Sequence, residues 1–492
     1  MKRFLLCILI ALLVSSTACT ANTAENDTET ETAAAVEETE AIEEGRASVK
    51  DNLPETMDFN GEQINVFTRP EAAAYEVLGE EGGDVIYDAL FKRNLSVEER
   101  LNVKLNLIVT DDNDFNFMAQ QVADSVLAGS DDYDILFQRG IQCFMQSQLG
   151  YYKDLKNNPY IDLDQPWWWD RINADSAMHE SRAYYLAGDI TTSAFITNTA
   201  AYVNKELMKT YSYDIDELYD AVEAGEWTLD MLEEYCAGTY QDKNGDGVKS
   251  DEDIYGCQWL GWNSDYWVYS QGIRYTERDA EGYPELVLNT EKIISYVEDL
   301  NHFLHENENV YTLPTGDYLQ MIDMFTTDKS LFMMGRLNAA VGVYASSLRT
   351  MESAYGILPY PKYDESDSYM SSTGAGSGDL IAVPTTCMSF DVTSAVIEAM
   401  CAENYRTVFP AMYDVALKTK YSDSSRDAQM IDIIHDSASI DFTFLANLKV
   451  SLPMIGLVQQ GSNDFASSYA SAKARNDQSM EEMIAEYKKI DH

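Results

Sequence analysis

Apolar positions recur along this chain in two alternating periods. Residues 64–68 are a short β-rich run behind the turn Asn60-Gly61. Residues 84–101 repeat apolar side chains at helical spacing through Ile86, Ala89, Leu90, Val97 and Leu101. Residues 103–109 alternate apolar with polar and predict a strand. Residues 114–127 predict a second helix, ending near Gly129, and residues 133–137 a buried strand behind the acidic turn Asp131-Asp132. This β-α-β-α-β order with short connections predicts a parallel sheet covered by helices. Ligands of such sheets sit at the carboxyl ends of the strands. The residues just past those ends are Arg69 after the first strand, and Gln138 and Arg139 after the third.

A second block starts near residue 190. Thr228 precedes a predicted helix over 229–237, and 254–260 reads as a strand. Asn289-Thr290 caps a helix running to about residue 304, and 330–334 is another strand. Residues 356–362 are extended, because proline disfavours helix in the residue before it. A strand over 380–383 and helices over 393–402, 404–418, 427–436 and 465–488 complete the chain. No solenoid-period repeat occurs. The expected class is α/β. At 492 residues a single core stops growing, so more than one compact unit is expected.

The N-terminus states a compartment. Lys2 and Arg3 precede an apolar run over 4–14, which is shorter than the roughly 20 residues a membrane-spanning helix needs. Ser15, Ser16, Thr17 and Ala18 then lead to Cys19, a pattern that resembles the bacterial lipobox. The resemblance implies cleavage after Ala18 and lipidation of Cys19; the plain alternative is an ordinary secretory signal cut near Ala18 or Ala21. Residues 20–50 hold nine acids against Arg46 and Lys50 and almost no bulky apolar side chain, which predicts a self-repelling disordered tether.

Charge narrows the partners. The formal net charge is −49, and most of it lies beyond the tether, on the folded part. That excludes a nucleic-acid partner, which needs clustered cations, and adhesion of the protein surface to anionic lipid. Any membrane contact is then through the lipid alone. Past Cys19, five cysteines remain at irregular spacing, with no CxxC pair and no Cys/His cluster, so neither a disulfide framework nor a zinc site is expected.

Three motifs carry candidate chemistry. Residues 242–253 match a calcium loop: Asp242, Asn244 and Asp246 at positions 1, 3 and 5, Gly247 at 6, the Val248 carbonyl at 7 and Asp253 at 12. The reading is a structural Ca2+ clip; the alternative is a polar turn that binds nothing, and no organic cofactor is expected. Trp259, Trp262, Tyr266, Trp267 and Tyr269 crowd one stretch after a predicted strand. Sugars present C–H faces that stack on such rings, so Trp262, Tyr266 and Trp267 are the candidate contacts, core packing being the alternative. Trp167-Trp168-Trp169 cannot all face one way in a regular element; Trp168 is the candidate ligand contact among them.

The order of these features resembles a family. The lipobox with its acidic tether comes first, then the βαβαβ unit. Gly188-Asp189 followed by Tyr202-Val203-Asn204-Lys205-Glu206-Leu207 comes next. Last is Tyr355-Gly356-Ile357-Leu358-Pro359-Tyr360-Pro361-Lys362 after Lys329-Ser330-Leu331-Phe332. Together they resemble the extracellular solute-binding lipoproteins of ABC importers, in the family 1 type carbohydrate-binding group common in Firmicutes.

The resemblance implies a two-lobe periplasmic-binding-protein-like fold, with hinge-connected mixed sheets flanked by helices. Lobe one is expected to hold 59–190 and about 356–405, and lobe two 191–355 and about 406–492, after a signal peptide over 1–18 and a linker over 19–58. It implies a monomeric receptor on the outer face of the cytoplasmic membrane. The receptor captures a sugar or oligosaccharide between its lobes and delivers it to the permease transmembrane subunits. Asp189 in the crossover and Arg336 after the strand at 330–334 join Arg69, Gln138 and Arg139 as polar ligand candidates, because Arg and Asp make paired hydrogen bonds to vicinal hydroxyls. No catalytic motif singles itself out, so no enzyme is expected. A surface-anchored carbohydrate-active enzyme and a sensory or adhesive lipoprotein are the alternatives.

Overall fold

The computed structural model describes residues 45–288, 291–313, 316–341, 345–373, 378–417, 424–448 and 451–490. The expected signal segment, Cys19, most of the acidic tether and the cap pair Asn289-Thr290 lie outside these residues. In chain order the strands are β1 (Glu62–Thr68), β2 (Val103–Val109), β3 (Ile135–Arg139), β4 (Thr199–Asn204), β5 (Tyr255–Leu260), β6 (Thr276–Arg278), β7 (Pro284–Leu286), β8 (Val310–Leu313), β9 (Ser330–Arg336), β10 (Tyr355–Leu358), β11 (Ser371–Ser372), β12 (Asp379–Ala382) and β13 (Ala438–Ser439).

The first sheet has the order β12-β3-β1-β2. β1 is parallel to both β2 and β3, as the opening pattern predicts. Capping carboxylates start its helices. Asp84 accepts from the Ile86 amide before the helix Val85–Leu101, and Asp114 accepts from the Asn116 and Phe117 amides before Phe115–Ala128. Left-handed Asn102 and Gly129 end these helices. The second sheet has the order β10-β4-β9-β5-β8, with β5 parallel to β8 and β9, and β4 antiparallel to β9 and β10.

The first crossing between the sheets runs between Leu186 and β4. Leu186 still bridges to Ile381 of β12, the helix Thr192–Ile196 follows, and β4 opens the second sheet. The return differs from expectation. Tyr355–Leu358 pairs along its length with β4, so the stretch expected to re-enter lobe one closes the edge of the second sheet instead. Lys362 still bridges to Thr228, and the chain regains the first sheet only at β12.

Residues beyond 406 are likewise not confined to lobe two. Phe442 packs edge-on against Phe144 of the first lobe, while Phe465 and Tyr469 lie in the second lobe's core. The helix Phe465–Tyr487 that begins there ends with Tyr487 against Tyr184. At 1.5 Å per residue, such a helix is about 35 Å long, enough to reach from one lobe to the other.

The crossover is packed without slack. A Cβ on Gly188 would lie 2.7 Å from the Trp167 carbonyl oxygen, 2.8 Å from the Trp168 ring and 2.9 Å from Cys401 Sγ. Backbone and a buried ring cannot move aside cheaply. Gly188→Ala is expected to destabilise the protein by about 1–3 kcal/mol, read as a lowered Tm in thermal unfolding.

Candidate functional site

The carboxyl ends of β1 and β3 open on one edge of the first sheet, and those of β5, β8 and β9 on one edge of the second. The crossover helix lies between. A cavity of about 510 Å³ forms where these edges meet. Arg69 and Arg139 reach it from the first sheet, Trp262, Tyr266 and Arg336 from the second, and Ser193 and Thr197 from the crossover. Phe444 and Ile455 close it from the C-terminal segment.

The first wall is built on a buried ion pair. Arg69 Nη2 donates to both carboxylate oxygens of Asp379 at 2.8 Å, and Asp379 is wholly buried. Burial raises the Asp379 carboxyl above its ordinary value, against the opposing pull of Arg69. The Asp379 amide donates to Ser193 Oγ at 3.1 Å, and the Thr192 and Ser193 amides donate to Glu76. Glu76 is itself buried, and desolvation pushes its carboxyl up to about 7. Arg139 lies beside Asp379 in the β12–β3 register, but its guanidinium sits 4.5 Å over the Phe115 ring. Burial and the Arg69 charge push the Arg139 guanidinium below its ordinary value.

The second wall is aromatic. Trp262 is 47% exposed at the mouth, and its Nε1 donates to the Gly316 carbonyl at 2.7 Å. Gly316 has φ +66°, and a Cβ there would meet the indole at 2.5 Å. Tyr266 is buried, with the Arg336 guanidinium 5.1 Å from its ring centroid. Asp265 beside it is pushed up to about 6 by burial, with Arg336 pulling the other way.

Four expected contacts lie elsewhere. Trp267 follows Tyr266 on the same helix, so it points about 100° away and packs in the core against Phe303 and Tyr360. Gln138 precedes Arg139 on β3, so it faces the opposite side and accepts from the Tyr152 hydroxyl at 2.6 Å. Trp168 is buried with Trp167, both indoles donating to Glu398 at 3.0 and 3.1 Å. Asp189 is buried in the crossover, accepting from Trp169 Nε1 at 2.8 Å and paired with His435 Nε2 at 3.1 Å.

Sequence reasoning missed Asp265, Ser193, Thr197 and Asn338. Asp265 had a signal, standing inside the aromatic stretch. Residues 242–253 form a turn in which Asp242 accepts from the Gly245 and Gly247 amides and Asp246 from Val248. Asn244 donates to Asp246 and Glu252, and Asp253 accepts from the Lys243 and Ser250 amides. Among the described residues, no group of three or more acidic, His or Cys side chains is placed to hold a metal ion.

Solved structures share this architecture. A cyclo/maltodextrin-binding protein complexed with maltotetraose aligns over 87% of this chain and 97% of its own, at 12% identity and TM-score 0.53. UgpB from Mycobacterium tuberculosis, in complex with glycerophosphocholine, aligns over 86% of this chain and 99% of its own, at 12% identity and TM-score 0.52. The chain has the two-lobed solute-binding-protein fold. No protein-family model matches the sequence, and a search of curated proteins finds no match. In this solute-binding fold, the cavity described above occupies the junction of the two sheets.

The crossover network titrates. Burial opposes protonation of His435, but the hydrogen bonds it donates to Asp189 and Asp436 outweigh that and hold the imidazole up at about 9, against 6.5 ordinarily. A raised folded value means the stabilisation is complete below pH 6.5 and lost as pH rises through 9. Burial likewise lifts Glu398 to about 8 from 4.5, so its contribution falls over that interval. Tm is therefore expected to fall between pH 6.5 and 9, and His435→Gln to flatten that part of the Tm–pH curve. A variant curve as steep as the parent's would remove His435 as the cause.

Proposed function

We propose that the protein is the extracytoplasmic receptor of an ABC importer, capturing a sugar or oligosaccharide in the interlobe cavity for delivery to a membrane permease. The observation that carries this reading is the composition of the cavity. Trp262 offers an indole face at the mouth. Arg69, Arg139, Arg336, Asp265 and Asn338 supply hydrogen-bonding groups around it. A polyhydroxylated ring needs both, an apolar face to stack on and a ring of donors and acceptors for its hydroxyls. The cavity also lies against the crossover helix, so a ligand touching both walls favours the closed form by its differential contacts.

Lipid attachment at Cys19 and a monomeric state belong to the same proposal and rest on the sequence pattern. No helix among the described residues is long and apolar enough to cross a membrane, and lipidation would supply the anchor.

Fluorescence and calorimetry test the receptor reading. A bound saccharide is expected to perturb tryptophan emission, raise Tm and come off unchanged. Trp262→Ala is expected to weaken binding about tenfold or more, about 1.4 kcal/mol. Product formation from the sugar would instead assign a surface-anchored enzyme.

For the 242–253 loop we propose a structural calcium site. The 1-3-5 spacing supports it, and the use of Asp253 on loop amides weighs against it. Calcium titration is expected to release heat and raise Tm; no heat and an unchanged Tm would sink the idea.

A further inference from the structure

The cavity gathers three arginines in a protein whose net charge is −49. They are not equivalent. Arg69 is held by Asp379 through two hydrogen bonds. Arg336 lies against the faces of Tyr266 and Tyr318, at 5.1 and 5.8 Å, and its charge is felt at Asp265. Arg139 stands over Phe115, its Nε is buried without a hydrogen-bond partner, and no carboxylate among the described residues is in ion-pair contact with it. Its register neighbour Asp379 has turned to Arg69.

Three guanidinium groups at one cavity repel one another; the charges of Arg69 and Arg336 are felt at Arg139, opposed by those of Asp379 and Glu71. The Phe115 face steadies the Arg139 guanidinium without occupying its N–H edge. That edge is the fork that binds an oxyanion through two parallel hydrogen bonds. The overall negative charge does not forbid this. Salt screens distant charges over about 8 Å at physiological ionic strength, so the nearest groups decide the local potential.

We propose that the cavity takes an anionic saccharide, its carboxylate or phosphate held by Arg139 and Arg336 while a sugar ring lies on Trp262. This deepens the receptor reading and rests on it. Asp265 and Glu71 remain in the wall, so the site suits one small oxyanion group rather than a polyanion.

Matched pairs test it by calorimetry and thermal shift. Galacturonate is compared with galactose, glucuronate with glucose, and glucose 6-phosphate with glucose, with inorganic phosphate alone as a further arm. The acidic member of a binding pair is expected to bind at least about tenfold tighter, with affinity falling as salt rises. The carboxylate and phosphate arms tell which oxyanion is preferred. Arg139→Gln is expected to abolish the preference and Arg139→Lys to retain part of it. Arg336→Gln is the second variant should the first not fold. Neutral and acidic members binding equally would overturn the anionic proposal and leave the receptor reading standing. Phosphate binding with no saccharide binding would overturn both and assign the site to a free anion. No binding by any member would also overturn both.

Discussion

The buried pair of Arg69 and Asp379 is the interaction on which the rest of the site depends. It joins the end of β1 to the start of β12, elements 310 residues apart in the chain. Asp379 has no exposure, so leaving either charge without the other would strand it in a dry interior at a cost of several kcal/mol. The pair is not isolated. Through the Asp379 amide it meets Ser193, through Ser193 it meets Glu76, and the Glu76 carbonyl accepts from Arg93. One polar chain thus ties the first sheet, its flanking helices and the crossover into a single wall.

Pairing Arg69 with Asp379 also decides the chemistry of its neighbours. A carboxylate that satisfies one guanidinium is not available to the next. Arg139, adjacent in register, is therefore left to an aromatic face. The same division appears in the crossover. Three consecutive indoles find two buried carboxylates, Glu398 for Trp167 and Trp168 and Asp189 for Trp169. Buried polar groups must be matched, and here each match fixes a side chain in the interior that could otherwise have turned toward the cavity.

Strands and helices with one clear period were legible in the sequence. The residues 103–109 were expected as a strand and form β2, and 84–101 were expected as the helix that Asp84 caps. Arg69, Arg139 and Arg336 were legible because the edge of a parallel sheet is a consequence of topology alone. The strand β4 was not singled out, because its residues are buried on both faces and show no clean alternation; the helix Tyr318–Thr326 was passed over although Tyr318, Met321, Ile322 and Phe325 share one buried face. The return crossing was misplaced for a related reason. An extended segment such as 355–358 can complete either sheet, and only the partner strand β4 decides which.

The sequence by itself determined the opening β-α-β-α-β order, the edge of that sheet, and the aromatic and cationic residue types gathered at the cavity. Tertiary structure alone decided which member of each adjacent pair faces the cavity. Gln138 against Arg139, and Trp267 against Tyr266, differ by one position and hence by opposite strand faces or about 100° of helix. Local sequence sets that alternation but not its phase relative to the cavity. The phase follows from long-range partners, β12 for the strand and the Phe303–Tyr360 core for the helix, which are distant in the chain and meet only when the fold is complete.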